Sequence, residues 1–123
     1  MSDRKSILVA CDDELVCQST QLRLKRLGYG STVVPSAEAA RLVFQHNSEK
    51  FDLVMVSHFL FDGDGVDLAS EFLNIRPGIP IALYTGGVTT IEDVQSSGIR
   101  AVIPKVLTMR EFADELERVL GLV

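Results

Sequence analysis

Short apolar segments and longer amphipathic segments alternate along the whole chain. Five of the apolar segments are too short for helices, which is typical of strands buried in a core; they are residues 6–11, 31–34, 51–56, 81–84 and 100–103. After each of them, apolar residues recur three or four positions apart, which is the spacing of one face of a helix. The pattern therefore predicts five strand–helix units within 123 residues.

Polar caps and glycines indicate where the first three helices begin and end. The first helix is predicted over residues 13–27, with Gly28 as its C-terminal stop. Ser36 is expected to cap the second helix, because a serine side chain can accept a hydrogen bond from a free N–H of the first turn. The third helix follows a turn at residues 62–65 and is predicted from residue 66 to about residue 75.

Two capping boxes predict where the last two helices begin, since a threonine and an acid three positions later can satisfy each other's backbone N–H groups. Thr89 with Glu92 opens a helix that ends near Ser96, and Thr108 with Glu111 opens the last helix. Helical spacing predicts that the four longer helices face the core with Val16, Thr20, Leu24, Leu27, Ala40, Val43, Phe44, Leu68, Phe72, Ile75, Phe112, Leu116, Val119 and Leu120.

The predicted elements specify a fold class. Strands that are apolar on both sides indicate a sheet covered by helices on both faces. Regular strand–helix alternation indicates parallel strands joined by right-handed crossovers. We therefore predict a single α/β domain over residues 1–123, a (βα)5 three-layer sandwich around a doubly wound, five-stranded parallel sheet in the flavodoxin-like order 2-1-3-4-5.

Composition excludes several classes of protein. A net charge of −5 without a basic run argues against a nucleic-acid surface. No apolar segment approaches the roughly 20 residues that cross a bilayer, and the first one ends before acidic residues, unlike a signal peptide. Cys11 and Cys17 have neither CxxC spacing nor the density of a disulfide scaffold, so we expect two reduced thiols in a cytoplasmic protein.

Polar side chains follow the predicted strands where a doubly wound sheet binds its ligands. Asp12 and Asp13 follow the first strand, Ser57 the third, Thr85 the fourth and Lys105 the fifth. Adjacent carboxylates repel each other, and Mg²⁺, which prefers oxygen ligands, would compensate their charge. A hydroxyl and an ammonium can hold an anion beside that metal. These residues therefore predict a site for a cation and an anionic group such as phosphoryl.

Simpler interpretations of the same residues stay open. Asp12 and Asp13 could favour the positive end of the first helix. Thr85 could be an ordinary hydroxyl at a strand end, and Lys105 a solvated lysine.

The order and spacing of these pieces resemble the response-regulator receiver family of two-component signalling, the CheY-like superfamily. The resemblance covers the chain from Ile7 to about Leu120 and rests on residues 7–14 (ILVACDDE), 51–56 (FDLVMV), 64–65 (DG), 79–85 (IPIALYT) and 98–105 (GIRAVIPK). The IRPGIP segment at residues 75–80 is also similar to receivers of hybrid sensor kinases or multidomain regulators.

The resemblance implies a phosphorelay site. In that family a kinase phosphohistidine transfers its phosphoryl group to an aspartate that ends the third strand. The family pattern implies that Asp12, Asp13 and the backbone carbonyl of Phe59 hold Mg²⁺, and that Thr85 and Lys105 contact the phosphoryl oxygens.

Ser57 occupies the acceptor position in place of that aspartate. A serine hydroxyl is a weak nucleophile without a base, and His58, its neighbour on the strand, is expected to point to the opposite face. Ser57 also supplies no negative charge. We therefore expect Mg²⁺ to bind weakly, with Asp13 as the main remaining ligand, and to be dispensable. Asp62 is the acid in the next loop that could substitute as an acceptor.

Two further positions depart from the family. An aromatic residue usually stands three positions before the lysine, where this chain has Val102. The family usually follows the lysine with a cis proline, whereas Val106 follows here and predicts a trans bond. Pro104 precedes Lys105 instead, which puts the contact between this lysine and a phosphoryl group in doubt.

The sequence thus predicts a cytoplasmic pseudo-receiver that is not an enzyme and acts by protein interaction without phosphorylation. Its expected partners are a histidine kinase, another signalling protein or a neighbouring domain, without direct contact to nucleic acid or membrane. The alternative is an ordinary phosphoaccepting receiver in which Ser57 is an engineered substitution. A mononucleotide binder and a serine hydrolase fit less well, because the chain lacks a phosphate loop and a G-x-S-x-G elbow.

Overall fold

The computed structural model describes residues 4–87 and 89–121, so the two ends of the predicted single domain and residue 88 lie outside the described residues. One five-stranded sheet forms the centre; its strands are β1 (Ser6–Ala10), β2 (Gly30–Val34), β3 (Leu53–Ser57), β4 (Ile81–Thr85) and β5 (Ala101–Pro104). Its order is β2-β1-β3-β4-β5, and all neighbours are parallel. The predicted sheet and strand order are confirmed.

Five helices cover the sheet; they are α1 (Glu14–Arg26), α2 (Ala37–Asn47), α3 (Gly65–Ile75), α4 (Ile91–Val94) and α5 (Met109–Leu120). Short 3-10 turns follow α2 at Ser48–Lys50 and α4 at Gln95–Ser97. None of these helices is long and apolar enough to cross a membrane, as judged over the described residues.

Two apolar cores lie on opposite faces of the sheet. The α2–α3 core contains Phe44 and Phe72, whose rings stack with centroids 4.3 Å apart. The α1–α5 core contains Leu24, Phe112 and Leu116. Because side chains alternate along a strand, each strand contributes to both cores, as the apolar strand pattern predicts.

Most helix caps agree with the sequence. Ser36 accepts a hydrogen bond from the Ala39 N–H at 3.0 Å, and Thr108 with Glu111 forms a capping box. Gly28 follows α1 with φ of +89°, a left-handed conformation that favours glycine.

The box predicted at Thr89 and Glu92 is wrong by one position. Thr90 precedes α4, and the Asp93 carboxylate accepts hydrogen bonds from the Thr90 N–H and hydroxyl. Either threonine has an acid three positions ahead, so spacing alone does not distinguish them. α4 then ends after four residues, and the 3-10 turn covers the remainder of the predicted helix.

Two other local predictions need correction. Ile75 is 43% exposed rather than buried, because the chain leaves α3 at this residue and Ile79 fills the core instead. The predicted turn at residues 62–65 is part of a short antiparallel hairpin, in which Phe59–Leu60 pairs with Gly63–Asp64.

Candidate functional site at the carboxyl ends of the strands

The parallel strands bring the predicted site residues to one edge of the sheet. Ser57 ends β3, the central strand, and is paired in register with Tyr84 of β4. Lys105 follows β5, and its N–H donates to the Thr85 carbonyl at 2.8 Å. We call the side of this edge that carries Asp12, Asp13 and the hairpin the acid half.

In the acid half, each carboxylate is bound to backbone. Asp12 Oδ2 accepts a hydrogen bond from the Phe61 N–H at 2.7 Å, which ties the end of β1 to the hairpin. Asp13 Oδ1 accepts from the Val16 N–H at 3.1 Å and caps α1. The interpretation of Asp13 as a helix start is therefore correct, whatever else its second oxygen binds.

Ser57, at the position of the phosphoacceptor, is completely buried. Its Oγ has no hydrogen-bond partner. Within residues 4–87 and 89–121, every other buried side-chain nitrogen or oxygen has one. A buried hydroxyl without a partner costs about 1–3 kcal/mol, so this position opposes stability.

The start of α3 packs directly on the Ser57 backbone. A Cβ at Gly65 would lie 2.1 Å from the Ser57 carbonyl oxygen, so only glycine fits there. The Gly65 N–H also donates to the His58 carbonyl at 2.7 Å. The hairpin and α3 therefore close tightly over the end of β3.

The other side of the edge is an open cleft of about 510 Å³, which we call the cleft half; its lining comprises His58, Phe59, Tyr84, Thr85, Gly86, Gly87, Thr89 and Lys105. Thr85 and Lys105 thus share one cavity. Asp12 lines a different depression, together with Cys11 and Cys17. The structure therefore brings the predicted phosphoryl contacts Thr85 and Lys105 together in one cleft.

Polar groups of the cleft half have local partners. Thr85 Oγ1 accepts from the Gly87 N–H at 3.0 Å. Lys105 Nζ lies 5.8 Å from the centroid of the Tyr84 ring, a cation–π distance. The ion pairs found among the described residues are Arg41–Glu71 and Arg118–Glu115, so Lys105 is not paired with the acid half.

His58 is turned toward the cleft. Its Nδ1 lies 3.2 Å from Thr89 Oγ1, and its ring stacks on Phe59 with centroids 4.1 Å apart. The hydroxyl of Ser57 has no hydrogen-bond partner among the described residues, so His58 makes no hydrogen bond to it.

The residues of the acid half fit a tightly held Mg²⁺ poorly. In the described part of the chain, no three His, Cys, Asp or Glu side chains are grouped so that they could hold a metal ion. Asp12 and Asp13 each have one oxygen engaged by an N–H, and Ser57 adds no charge. The assignment of Asp12, Asp13 and the Phe59 carbonyl as weak ligands stays a prediction.

Asp62 has a role that the sequence did not indicate. Its two carboxylate oxygens accept from the N–H groups of Ala37 and Glu38, at 2.8 and 3.1 Å, at the start of α2. These backbone hydrogen bonds lower the pKa of Asp62. Because both oxygens are engaged at α2, Asp62 is badly placed to substitute as a phosphoacceptor.

The thiols and the two valines also have defined positions. Cys11 and Cys17 are both free, and the Cys17 thiol donates to the Cys11 carbonyl at 2.6 Å. Burial, together with a side-chain interaction with Cys11, raises the pKa of Cys17 to about 12. Val102 is half-buried against the α2–α3 core, whereas Val106 is exposed. No cis peptide bond occurs among the described residues, which includes the Lys105–Val106 bond.

Comparison with known proteins gives a consistent result. No protein-family model matches the chain. It is 28% identical over 117 residues to the transcriptional regulatory protein ZraR of Salmonella typhimurium, and this match covers 94% of the chain but 26% of ZraR. It is 27% identical over 118 residues to the response regulator receiver protein CpdR of Brucella abortus, covering 94% of the chain and 97% of CpdR.

A solved structure extends the similarity to three dimensions. The non-phosphorylated HemR receiver domain of Leptospira biflexa superposes with a TM-score of 0.84 at 29% identity, covering 98% of this chain and 97% of that one. The sheet order, the placement of residues 12, 13, 57, 85 and 105 along one edge, and these similarities agree with each other. In fold and in sequence, over nearly its whole length, the chain is similar to the CheY-like response-regulator receiver domains of two-component signalling.

Proposed function

We propose that this domain is a pseudo-receiver, which acts in two-component signalling by binding a protein partner without accepting a phosphoryl group. The observation that carries the proposal is the side chain of Ser57, which is fully buried and has no hydrogen-bond partner among the described residues. A hydroxyl without a neighbouring base is a weak nucleophile, and a buried one is also shielded from a phosphodonor.

The surroundings of Ser57 support the same proposal. A phosphoryl group needs cations to offset its charge, and Lys105 is directed to the Tyr84 ring in the cleft half. The acid half offers only two partly engaged carboxylates for Mg²⁺. The arrangement of both halves thus supports the proposal of a domain that does not accept a phosphoryl group.

Exposed apolar side chains around this edge favour a protein partner. Four large ones lie on the loops and the first helical turn beside the site, where they are 72–88% exposed: Leu15, Phe59, Phe61 and Val106. Such grouping of exposed apolar residues marks interaction surfaces. The partner proposed is a histidine kinase, another signalling protein or a neighbouring domain, since the chain spans about a quarter of the length of ZraR.

The remaining parts of the proposal follow from the receiver family. We propose a cytoplasmic location, where two-component partners act, and no enzymatic activity of the domain itself. Direct binding to nucleic acid or membrane is not proposed, because the chain has a net charge of −5 and no basic run.

The proposal is tested by incubating the chain with acetyl phosphate and Mg²⁺ and measuring intact mass. The expected result is no stable phosphorylated species on the unmodified chain. Ser57→Asp is the positive comparison, in which a carboxylate returns to the acceptor position. Ser57→Ala is the matched negative control and should be at least as stable as the parent, because it removes an unsatisfied hydroxyl. A phosphorylated species on the parent that Ser57→Ala lacks would overturn the proposal.

One observation favours a second candidate, an ordinary phosphoacceptor in which Ser57 has replaced an original aspartate. Thr85 and Lys105 still line one cleft, as phosphoryl contacts would. The two candidates differ in the response of Ser57→Asp to beryllofluoride. The pseudo-receiver should gain Mg²⁺ affinity but not a full set of active-state NMR shifts, because Val102 remains, whereas the second candidate should show both.

A further inference from the structure

The five-stranded sheet has two open edges, β2 and β5. Natural proteins keep open edges from pairing with other chains by shortening them or by placing proline or charged residues on them. β5 has four residues and ends in Pro104. β2 has five residues with the sequence GSTVV and therefore carries neither proline nor a charged side chain. β2 is thus the less protected edge.

The free hydrogen-bonding groups of β2 belong to Ser31 and Val33. The Gly30 N–H and the Val34 carbonyl form hydrogen bonds of 2.8 and 3.0 Å toward the segment that contains β1. Because successive residues of a strand direct their backbone groups to opposite sides, Ser31 and Val33 direct theirs to the open side. Among the described strands, β2 pairs with β1 alone.

A cleft of about 430 Å³ lies beside this edge, between β2 and α1. Among the described residues that line it there is no carboxylate, although the chain as a whole has a net charge of −5. The polar residues that line it are two cations, two carboxamides and two hydroxyls, namely Arg4, Lys25, Gln18, Gln21, Tyr29 and Ser31. The cleft therefore presents positively charged and hydrogen-bonding side chains on an acidic protein.

We propose that the open edge of β2 binds an extended, acidic peptide segment of a partner protein as a sixth strand of the sheet. The backbone groups of Ser31 and Val33 supply the hydrogen bonds, as in other cases of strand addition. Alternate side chains of the added strand face the cleft, where carboxylates meet Lys25 and the carboxamides of α1. Affinity comes from the backbone, and the preference for acidic sequences comes from the cleft.

Charge favours an acidic partner over a second copy of the chain. A second copy would offer its own β2 edge, which has no carboxylate to place in the cleft. It would also bring together two molecules that each have a net charge of −5. This site lies at the β2 edge rather than at the carboxyl ends of the strands, so it is independent of the state of Ser57.

The test uses the full chain and a fluorescein-labelled synthetic peptide that alternates glutamate with valine, followed by fluorescence polarisation. The expected result is saturable binding that weakens as salt is raised, with NMR shifts at the Ser31 and Val33 amides. A counterpart that alternates lysine with valine should bind much more weakly.

Two variants separate the backbone from the charge. Ser31→Pro removes one outward N–H and should weaken binding about tenfold, whereas Ser31→Ala keeps the N–H and should bind like the parent. Lys25→Glu, a change at an exposed position, should weaken binding by about tenfold or more. Thermal unfolding of Ser31→Pro and Lys25→Glu checks that both variants are folded.

Three outcomes would overturn the proposal. The first is equal binding of the lysine and glutamate peptides. The second is binding that neither Ser31→Pro nor Lys25→Glu weakens. The third is a concentration-dependent dimer, seen by analytical ultracentrifugation, that Ser31→Pro abolishes while no peptide binds, because the occupant would then be a second copy.

Discussion

The acid half of the carboxyl edge, with Asp12 and Asp13, and the cleft half, with Thr85 and Lys105, both lie beyond the ends of parallel strands. In the acid half, the polar groups hold the fold together, because the two carboxylates accept hydrogen bonds from the backbone of the hairpin and of α1. In the cleft half, the ammonium of Lys105 lies over the face of the Tyr84 ring, and the cavity stays open.

This difference changes how the surviving site residues are interpreted. A carboxylate pair at a strand end is the strongest sequence signal for a cation, yet here each carboxylate has a structural role that needs no cation. Thr85 also accepts a backbone N–H, from Gly87, whereas the ammonium of Lys105 has no hydrogen bond or ion pair among the described residues, so a ligand explains Lys105 better. Mutations in the acid half should therefore lower the stability of the domain, whereas mutations in the cleft half should mainly change ligand binding.

The largest expected effect on stability comes from replacing Gly65 in the acid half, and Gly86 in the cleft half provides the control. Gly65→Ala places a Cβ 2.1 Å from the Ser57 carbonyl oxygen and should destabilise the domain by about 3 kcal/mol or more, or prevent folding. Gly86→Ala in the cleft half meets nothing within 4 Å and has no left-handed φ, so its effect should lie within about 0.5 kcal/mol. Urea unfolding measures both. Similar losses in the two variants would mean that the halves are packed alike.

A smaller effect is expected when the side chains themselves are removed. Asp13→Ala loses the α1 cap and should cost about 1 kcal/mol in the free energy of unfolding. Asp12→Ala leaves the Phe61 N–H without its acceptor and should cost a similar amount, about 1 kcal/mol. Lys105→Ala, the matched change in the cleft half, should cost less, since the cation–π contact of this half-buried lysine contributes about 0.5–1 kcal/mol.

Chemical denaturation with and without Mg²⁺ checks this ranking. If Asp12 and Asp13 act mainly in the fold, the losses appear equally in metal-free buffer. Losses seen only when Mg²⁺ is present would instead make the acid half a cation site and contradict the structural role. A loss in Lys105→Ala larger than in Asp13→Ala would reverse the comparison.

Local chemistry made much of this architecture predictable from sequence. The strand runs, the glycine after α1 and the caps at Ser36 and Thr108 are set by residues within a few positions of each other, and the structure confirms them. The α4 cap is Thr90 rather than Thr89. Residue spacing alone could not distinguish the two, because each of these adjacent threonines is followed three positions later by an acid.

The hydrogen-bond partners of the site residues could not be predicted from sequence in the same way. Asp12 meets the N–H of Phe61, 49 positions away, and Asp62 meets that of Ala37, 25 positions away. Those partners depend on how the hairpin packs against β1 and α2, which no local pattern encodes. The sequence could therefore place the acids at the right edge but could not tell which oxygens the backbone would occupy.

The smallest expected effect concerns pH and the Asp62 carboxylate, on the hairpin of the acid half. Backbone hydrogen bonds at the start of α2 lower its pKa below the usual carboxyl range. A group with a lowered folded-state pKa stabilises the fold above its unfolded pKa, and this contribution is lost as the pH falls through the folded value. Asp62→Ala should therefore be less stable than the parent near neutral pH, and the two should converge in acid.

Asp93, at the start of α4, provides the control for the Asp62 titration. Its pKa is also lowered, by the Thr90 N–H and hydroxyl, so Asp93→Ala should converge with the parent over the same acidic range. Asp62 joins the hairpin to a long helix, whereas Asp93 caps a helix of four residues, so the gap near neutral pH should be larger for Asp62→Ala. Thermal unfolding from neutral pH to below the ordinary carboxyl pKa measures both gaps. A gap for Asp62→Ala that persists unchanged in acid would show that its contribution does not come from the ionised carboxylate, and the acid half would then be stabilised by packing rather than by charge.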